Sequence, residues 1–138
     1  MPIRSLIAAL PALFLLLGPA LAAPDDSARV TLVFDQALPN APGKSMKVVL
    51  VEYAPGGSSP AHLHPASAFI YARVLQGAVR SKVNDGPDRV YQAGEAFTEM
   101  PGDRHLVSAN ASSTEPSQLL AVFIVDSAES VLVRPLRE

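Results

Sequence analysis

The sequence has 138 residues, 49% of them apolar, and its 11 basic and 13 acidic side chains give a net charge of −2. This length predicts one domain rather than two, and a mildly acidic chain without basic runs is unsuited to nucleic acid or an anionic membrane surface. The chain contains no cysteine, which excludes disulfides and thiol-attached lipid, so the fold must depend on its hydrophobic core.

The N-terminal segment has the three-part layout of a secretory signal peptide. Arg4 precedes the apolar run LIAALPALFLLLG, and the small residues of PALAA follow it. Because Ala20 and Ala22 fit the A-x-A pattern, we expect cleavage after Ala22, which separates a signal peptide (1–22) from a single domain (23–138). An uncleaved membrane anchor over residues 6–23 is the alternative, but Pro11 and Pro19 disfavour it. The expected location is therefore the periplasm or the extracellular medium.

Short apolar runs separated by clusters of Pro, Gly, Asn and Asp make up the remaining sequence. No long segment shows the periodicity of a helix. Strands at this spacing, each bounded by turn residues, predict an all-β sandwich or barrel. In chain order, the predicted strand segments are RVTLVF, SMKVVLVEYA, FIYARVLQGAVRSKV, RVYQAGEAFTEM, HLVSANA, QLLAVFIVD and SVLVRPL.

The turn NDGPD gives the strongest local prediction. Its residues Asn84, Asp85 and Gly86 tolerate positive φ, which favours a tight hairpin. We expect this hairpin to join a strand that ends near Val83 to one that begins near Arg89.

Two strand segments predict how their faces are buried. In VRSKV, Ser81 lies on the same side as Val79 and Val83, so one face should meet the core and the other water. The run LLAVFIV is apolar at every position, which is typical of a strand covered on both faces.

The segment PAHLHP places His62 and His64 one residue apart. On a strand these two side chains share a face, and two imidazoles can then reach one metal ion. The third histidine of the chain, His105, follows the turn of MPGDRH and would complete a three-nitrogen site if the fold brings the two strands together. The alternative is that these histidines are ordinary solvated or hydrogen-bonded side chains.

The segment GGSSPAHLHPASAFIYARVLQG, residues 56–77, resembles the first motif of the cupin superfamily. That motif runs from a glycine through five residues to His-x-His, then through three or four residues to a glutamate, and through six more to a glycine. The residues that match are Gly56, His62, His64 and Gly77.

The segment GEAFTEMPGDRHLVSAN, residues 94–110, is similar to the second cupin motif. Gly94, Gly102 and His105 match its spacing, whereas Met100 stands where a proline is usual and Asn110 arrives one residue late. The resemblance implies a double-stranded β-helix, also called a jelly roll, with the two motifs facing one site.

The glutamate of the first motif is missing, because its position falls at Ala68 or Phe69 and neither can bind a metal. The resemblance therefore implies three metal ligands, His62, His64 and His105.

Three interpretations of the missing carboxylate remain open. The first is a neutral three-histidine site, as in some thiol dioxygenases of this superfamily, which would leave open positions for water, an anionic substrate or a small oxidant. In the second, another carboxylate takes its place, with Glu99 as the best candidate and Glu52 as the next. The third is loss of metal binding.

Further polar side chains on predicted strands, Tyr71, Arg73 and Tyr91, could line the barrel, and Ser67 could bind a metal-bound water. More often such side chains keep their polar tips in water.

The resemblance implies a divalent metal ion, with Fe(II) as the first expectation and Mn, Ni, Cu or Zn as alternatives. Function is less restricted, because the fold hosts many chemistries. One hypothesis is a metal-dependent, dioxygenase-like oxidoreductase that acts on a small organic molecule. The other is a non-enzymatic cupin that binds or senses a small molecule or metal. By analogy we also expect a homodimer, and no membrane association once the signal peptide is removed.

Overall fold

The computed structural model describes residues 27–136; the predicted signal peptide lies outside the described residues. None of the described segments forms a helix that is long and apolar enough to cross a membrane. The strands are β1 (Ala28–Ala37), β2 (Lys44–Tyr53), β3 (Ser58–Ser59), β4 (His62–Leu63), β5 (Phe69–Gln76), β6 (Ala78–Val83), β7 (Arg89–Gln92), β8 (Ala96–Glu99), β9 (Arg104–Asn110), β10 (Ser117–Asp126) and β11 (Arg134–Pro135).

The strands form two antiparallel sheets. A five-stranded sheet has the order β1-β2-β10-β5-β8, and a six-stranded sheet has the order β11-β4-β9-β6-β7 with β3 beside β9. Neighbours in space are mostly distant in sequence, as in β2 beside β10, because the chain crosses repeatedly between the sheets. This is the double-stranded β-helix that the sequence resemblance predicted, and it confirms the fold class.

The segment SVLVRPL was predicted as a strand, and this prediction is wrong for most of its length. Only Arg134 and Pro135 pair, with Leu63 and His62 respectively. The histidine segment is also a shorter strand than expected, since β4 ends at Leu63. His64 therefore reaches the interior from the residue that follows the strand.

The strand β10 is the centre of the five-stranded sheet, between β2 and β5. Its alternate side chains, among them Leu119, Phe123 and Val125, are buried, whereas those between them are only half-buried. The all-apolar run LLAVFIV was expected to be covered on both faces, but the structure covers one face fully and the other in part.

The hairpin predicted at NDGPD lies between β6 and β7, and Asn84 adopts a positive φ of 48°. The Asn84 side chain also donates to Asp103 Oδ1 at 2.8 Å and accepts a hydrogen bond from the Arg104 backbone N–H at 3.0 Å. These bonds attach the hairpin to the first residue of β9. Because His105 is the next residue, the hairpin helps to fix the position of the strand that carries it.

The glycine that ends the first motif, Gly77, occupies the break between β5 and β6 and has a φ of +67°. A Cβ atom at this position would lie 2.6 Å from the Pro116 carbonyl oxygen. Backbone therefore approaches too closely for any other residue, which explains why the predicted segment FIYARVLQGAVRSKV divides here. The other motif glycines that matched, Gly56, Gly94 and Gly102, also have positive φ angles.

Replacing Gly77 with alanine is expected to destabilise the protein more than the same change at Gly43. Both glycines have positive φ, so alanine costs about 1–2 kcal/mol at either site. Gly43 has no atom within 4 Å of the added Cβ, whereas at Gly77 the contact with Pro116 adds about 1–3 kcal/mol of overpacking. Urea unfolding of both variants measures the difference, and equal losses of stability would contradict this account.

Candidate metal centre

Two strands of the six-stranded sheet bring the three histidines together. His62 on β4 is paired directly with His105 on β9, and their ring centroids are 5.1 Å apart. His64, which follows β4, lies 4.7 Å from His62 and 6.2 Å from His105, centroid to centroid. All three are buried, and each offers a ring nitrogen within 4.8 Å of the others. The structure thus assembles the predicted histidine cluster and shows that it could hold a metal ion.

Backbone carbonyls orient the two histidines of the first motif. His62 Nδ1 lies 2.7 Å from the Pro60 carbonyl oxygen, and His64 Nδ1 lies 2.9 Å from that of Leu132. Because a carbonyl only accepts, each ring is protonated at Nδ1 and presents the lone pair of Nε2. This is how histidine ligands of metals are normally oriented.

Ser81 orients the third histidine, since its Oγ lies 2.9 Å from His105 Nε2. Alternation along β6 predicts that Ser81 faces the core, and its 3% exposure confirms this, but the pattern does not connect Ser81 to the histidines. A polar residue among inward-facing valines was the available signal.

Glu99, the last residue of β8, contacts two of the histidines. Its Oε2 lies 3.4 Å from His64 Nε2, and its Oε1 lies 3.3 Å from His105 Nδ1. The residue is only 2% exposed. Within residues 27–136, His64 Nε2 and Glu99 Oε2 are buried and have no hydrogen-bond partner.

A buried polar atom without a partner costs about 1–3 kcal/mol. Divalent first-row metals bind both the lone pair of an imidazole nitrogen and a carboxylate oxygen as ligands. A cation beside His64 and Glu99 would satisfy both atoms, so the residues present fit a metal ion.

Apolar residues occupy the position at which the first motif usually has its glutamate. Ala68 is fully buried in the core, and Phe69 is 38% exposed. The only buried carboxylate among the described residues belongs to Glu99, which pairs across the sheet with Ile70. The acidic group therefore comes from the neighbouring strand, β8. Glu52, the second sequence candidate, accepts a hydrogen bond from Gln118 instead.

A β-bulge accommodates the late asparagine of the second motif. Lys82 pairs with Val107 and Val83 with His105, which leaves Leu106 as an extra residue on β9. Without the bulge, His105 and Asn110 would point to opposite faces, because side chains alternate along a strand. Both are buried, and Asn110 donates to the carbonyl oxygens of Ala54 and Glu115.

Burial and the Glu99 carboxylate shift the histidines in different directions. Burial lowers the pKa of His62, and it lowers the pKa of His105 to about 4. Burial acts in the same sense on His64, but the contact with Glu99 outweighs it and raises the pKa of that ring. Two of the three imidazoles are therefore held neutral, as metal ligation requires.

The metal-free protein is expected to lose stability as the pH falls from 6.5 to about 4. In this window His105 stays neutral in the folded state but takes up a proton when the chain unfolds, so acid favours unfolding by up to about 3 kcal/mol. His62 acts in the same direction. His64 acts oppositely, because its raised pKa adds stability below 6.5 that is lost as the pH rises.

Urea unfolding of EDTA-treated protein at pH 7 and 4.5 measures this loss. His105→Gln should show a smaller loss than wild type, and an equal loss in both proteins would contradict the assignment to His105.

The histidine cluster and Glu99 form part of the wall of a cavity of about 630 Å³ between the sheets. Apolar side chains of β1, β2, β5 and β10 make up most of the remaining wall. Tyr53, Ser59 and Ser108 also line the cavity, and the Tyr53 hydroxyl bonds both serines, at 2.9 and 2.7 Å. Burial raises the pKa of Tyr53, and the Glu99 charge adds to this rise. The sequence does not reveal this hydroxyl cluster, because its members lie on three different strands.

Four other side chains suggested by the sequence lie outside the cavity wall. Tyr71 and Arg73 point outward from β5, where both are exposed, and Tyr91 packs against Phe97. Ser67 Oγ accepts a hydrogen bond from the Asp126 N–H. The structure therefore favours the alternative for Tyr71 and Arg73, whose polar groups face the solvent, and none of the four side chains contributes to the cavity wall.

A profile of the cupin domain matches residues 49–123, more than half of the chain, and this protein therefore belongs to the cupin superfamily. A search of the curated proteins found no significant match.

Solved structures with the same fold have diverse descriptions. An oxalate oxidase is 24% identical over 83% of this chain, with a TM-score of 0.61, and this chain spans only 57% of its length. A conserved protein with a double-stranded β-helix domain from Klebsiella pneumoniae is 20% identical over 81% of this chain and 89% of its own, with a TM-score of 0.62. The polyketide cyclase RemF from Streptomyces resistomycificus is 19% identical over 82% of this chain and 73% of its own, with a TM-score of 0.59. At these identities the likeness establishes the fold alone.

Proposed function

We propose that this cupin holds one divalent metal ion through His62, His64, His105 and Glu99 and acts as a dioxygenase-like oxidoreductase on a small organic molecule. The observation that carries the proposal is the pair of buried atoms, His64 Nε2 and Glu99 Oε2, that face each other without a hydrogen-bond partner among residues 27–136. Three imidazoles and one carboxylate suit Fe(II), with Mn, Ni, Cu and Zn as the other candidates.

When bound, the ion would supply a Lewis acid with open positions for a substrate and an oxidant. The chain's own residues prepare that chemistry. The Pro60 and Leu132 carbonyls keep His62 and His64 in one tautomer, and Ser81 holds His105. Apolar side chains make up most of the cavity wall beside them. Dioxygenation places both atoms of O₂ in the product, so it balances without a separate reductant.

Metal analysis of untagged protein tests the site. We expect near one equivalent of metal in the wild type and less than about a tenth of an equivalent in His62→Ala and His105→Ala, because each removes a ligand. Metal-free wild type that stays metal-free after anaerobic reconstitution would overturn the proposal.

Oxygen consumption with a panel of small thiols, phenols and diketones tests the oxidoreductase part. A compound that consumes O₂ only with the metal-loaded protein would support it. Stoichiometric binding of a compound without turnover would replace it with the second hypothesis, a cupin that binds or senses a small molecule.

We further propose that residues 1–22 direct export of the protein and are then removed. The support is the layout of the leader, with a basic residue, an apolar run and a small-residue cleavage site. N-terminal sequencing of the protein recovered from the periplasm or the medium should begin at Ala23. Recovery of an intact N-terminus from the cell membrane would support the anchor instead.

A further inference from the structure

Within residues 27–136, the cavity wall lacks the lysine, arginine and amide side chains that would pair with a small acid. Among the described residues that line it there is no lysine, arginine, asparagine or glutamine. Its polar side chains are the three histidines, Glu99, Ser130 and the hydroxyl cluster of Tyr53, Ser59 and Ser108. An acid that enters this cavity would find no lysine or arginine among these residues to pair with.

Lys47 is a basic residue on β2, a strand that borders the cavity. It pairs with Phe123 across the sheet, so its side chain leaves β2 on the same face as that of the cavity-lining Val49. However, its Nζ is 2.7 Å from Asp35 Oδ2, and it does not contribute to the cavity wall. The Asp35 carboxylate therefore already pairs with the positive charge of Lys47.

The charges at the metal site determine the net charge that a ligand should have. A divalent ion and the Glu99 carboxylate together leave one positive charge in a buried, mainly apolar space, where an unbalanced charge is costly. A ligand that binds as a monoanion neutralises this charge. A dianion leaves one negative charge with no partner, and an uncharged ligand leaves the positive charge unbalanced.

The hydroxyl cluster defines a second requirement. Three hydroxyl groups have three protons, and the two hydrogen bonds that Tyr53 makes with Ser59 and Ser108 use two of them. Within the described part of the chain, no other oxygen accepts the third proton, and all three side chains border the cavity. The cluster can therefore donate one hydrogen bond to an oxygen of the ligand.

From these features we infer that the ligand of this cavity is a predominantly apolar molecule with one acidic oxygen, of the phenol or enol class. The acidic oxygen faces the metal, the apolar body packs against the side chains of β1, β2, β5 and β10, and a second oxygen accepts from the hydroxyl cluster. This inference deepens the proposed function and rests on it for the part that concerns the metal.

Three probes test the inference by isothermal titration calorimetry on protein loaded with Zn²⁺, which is redox-inert. 4-Nitrophenol has an apolar ring, one acidic oxygen and acceptor oxygens, 4-nitrotoluene has a methyl group in place of the acidic oxygen, and oxalate is a small dianion. We expect 4-nitrophenol to bind at least about tenfold more tightly than either of the others. Oxalate that binds as tightly as 4-nitrophenol, or 4-nitrotoluene that does so, would overturn the inference.

The variant Tyr53→Phe tests the hydroxyl cluster, with Tyr91→Phe as the matched control outside the cavity. Loss of one neutral hydrogen bond is expected to weaken 4-nitrophenol binding about 2- to 10-fold in Tyr53→Phe, with no change in Tyr91→Phe. Equal affinities for 4-nitrophenol in the two variants would mean that the hydroxyl cluster does not bind the ligand.

Metal-free protein separates failure of the inference from failure of the proposed function. Here 4-nitrophenol and 4-nitrotoluene should bind within about threefold of each other, and both more tightly than oxalate. If the protein takes up no metal, the proposed function fails, but this preference would still support an apolar ligand. If metal binds and oxalate is preferred, the metal site stands and the ligand class is overturned.

Discussion

Replacing Glu99 with glutamine is expected to weaken metal binding by at least about 10- to 100-fold, the range seen when groups that support a metal ligand are removed. The amide keeps the size of the side chain but loses the negative charge that faces His64 and His105. Competition with a chelator of known affinity, using Mn²⁺ or Fe(II) under anaerobic conditions, measures the change.

Glu52→Gln is the matched control for this experiment. The same chemical change there affects a side chain that bonds Gln118 and does not line the cavity, so metal affinity should stay at the wild-type value. Wild-type affinity in Glu99→Gln would instead favour a neutral three-histidine site. Unfolding of both variants without metal shows whether any loss reflects folding rather than ligation.

Truncating Ile70 to alanine is expected to destabilise the protein by about 2–5 kcal/mol, because it removes buried apolar atoms and enlarges a cavity. Ile70 is 1% exposed, packs in the same core cluster as Val49 and Phe123, and pairs with Glu99 across the sheet. Urea unfolding of the metal-free protein measures the loss.

Leu75→Ala is the control on the same strand, since Leu75 is 46% exposed and a surface truncation changes stability by about 0.5 kcal/mol or less. Similar losses in the two variants would mean that β5 does not face the core as described. Weaker metal binding in Ile70→Ala, with the fold intact, would show that the packing beside β8 positions Glu99.

Several features of the fold could be predicted because they depend on residues close together in the chain. The hairpin at Asn84 follows from side chains that tolerate positive φ, and the inward position of Ser81 follows from alternation along one strand. The fold class and the histidine set were recognisable because two motifs retained their spacing. Even the late Asn110 was visible as a departure, although the bulge at Leu106 that corrects it was not.

The remaining features of the site depend on pairing between strands that are distant in sequence. Glu99 could be proposed from its place before the His105 turn, but only the pairing of β5 with β8 places its carboxylate beside His64. Tyr71 and Tyr53 illustrate the same point, since both lie on predicted strands, yet one points outward and the other lines the cavity.

By itself, then, the sequence determined the turns, the alternation within strands and the candidate ligands, all of which arise from backbone preferences over a few residues. The tertiary structure decided which carboxylate joins the histidines and which hydroxyls line the cavity. The physical reason is that strand register is set by packing across the whole barrel, and a shift of one residue turns every side chain of a strand to the opposite face.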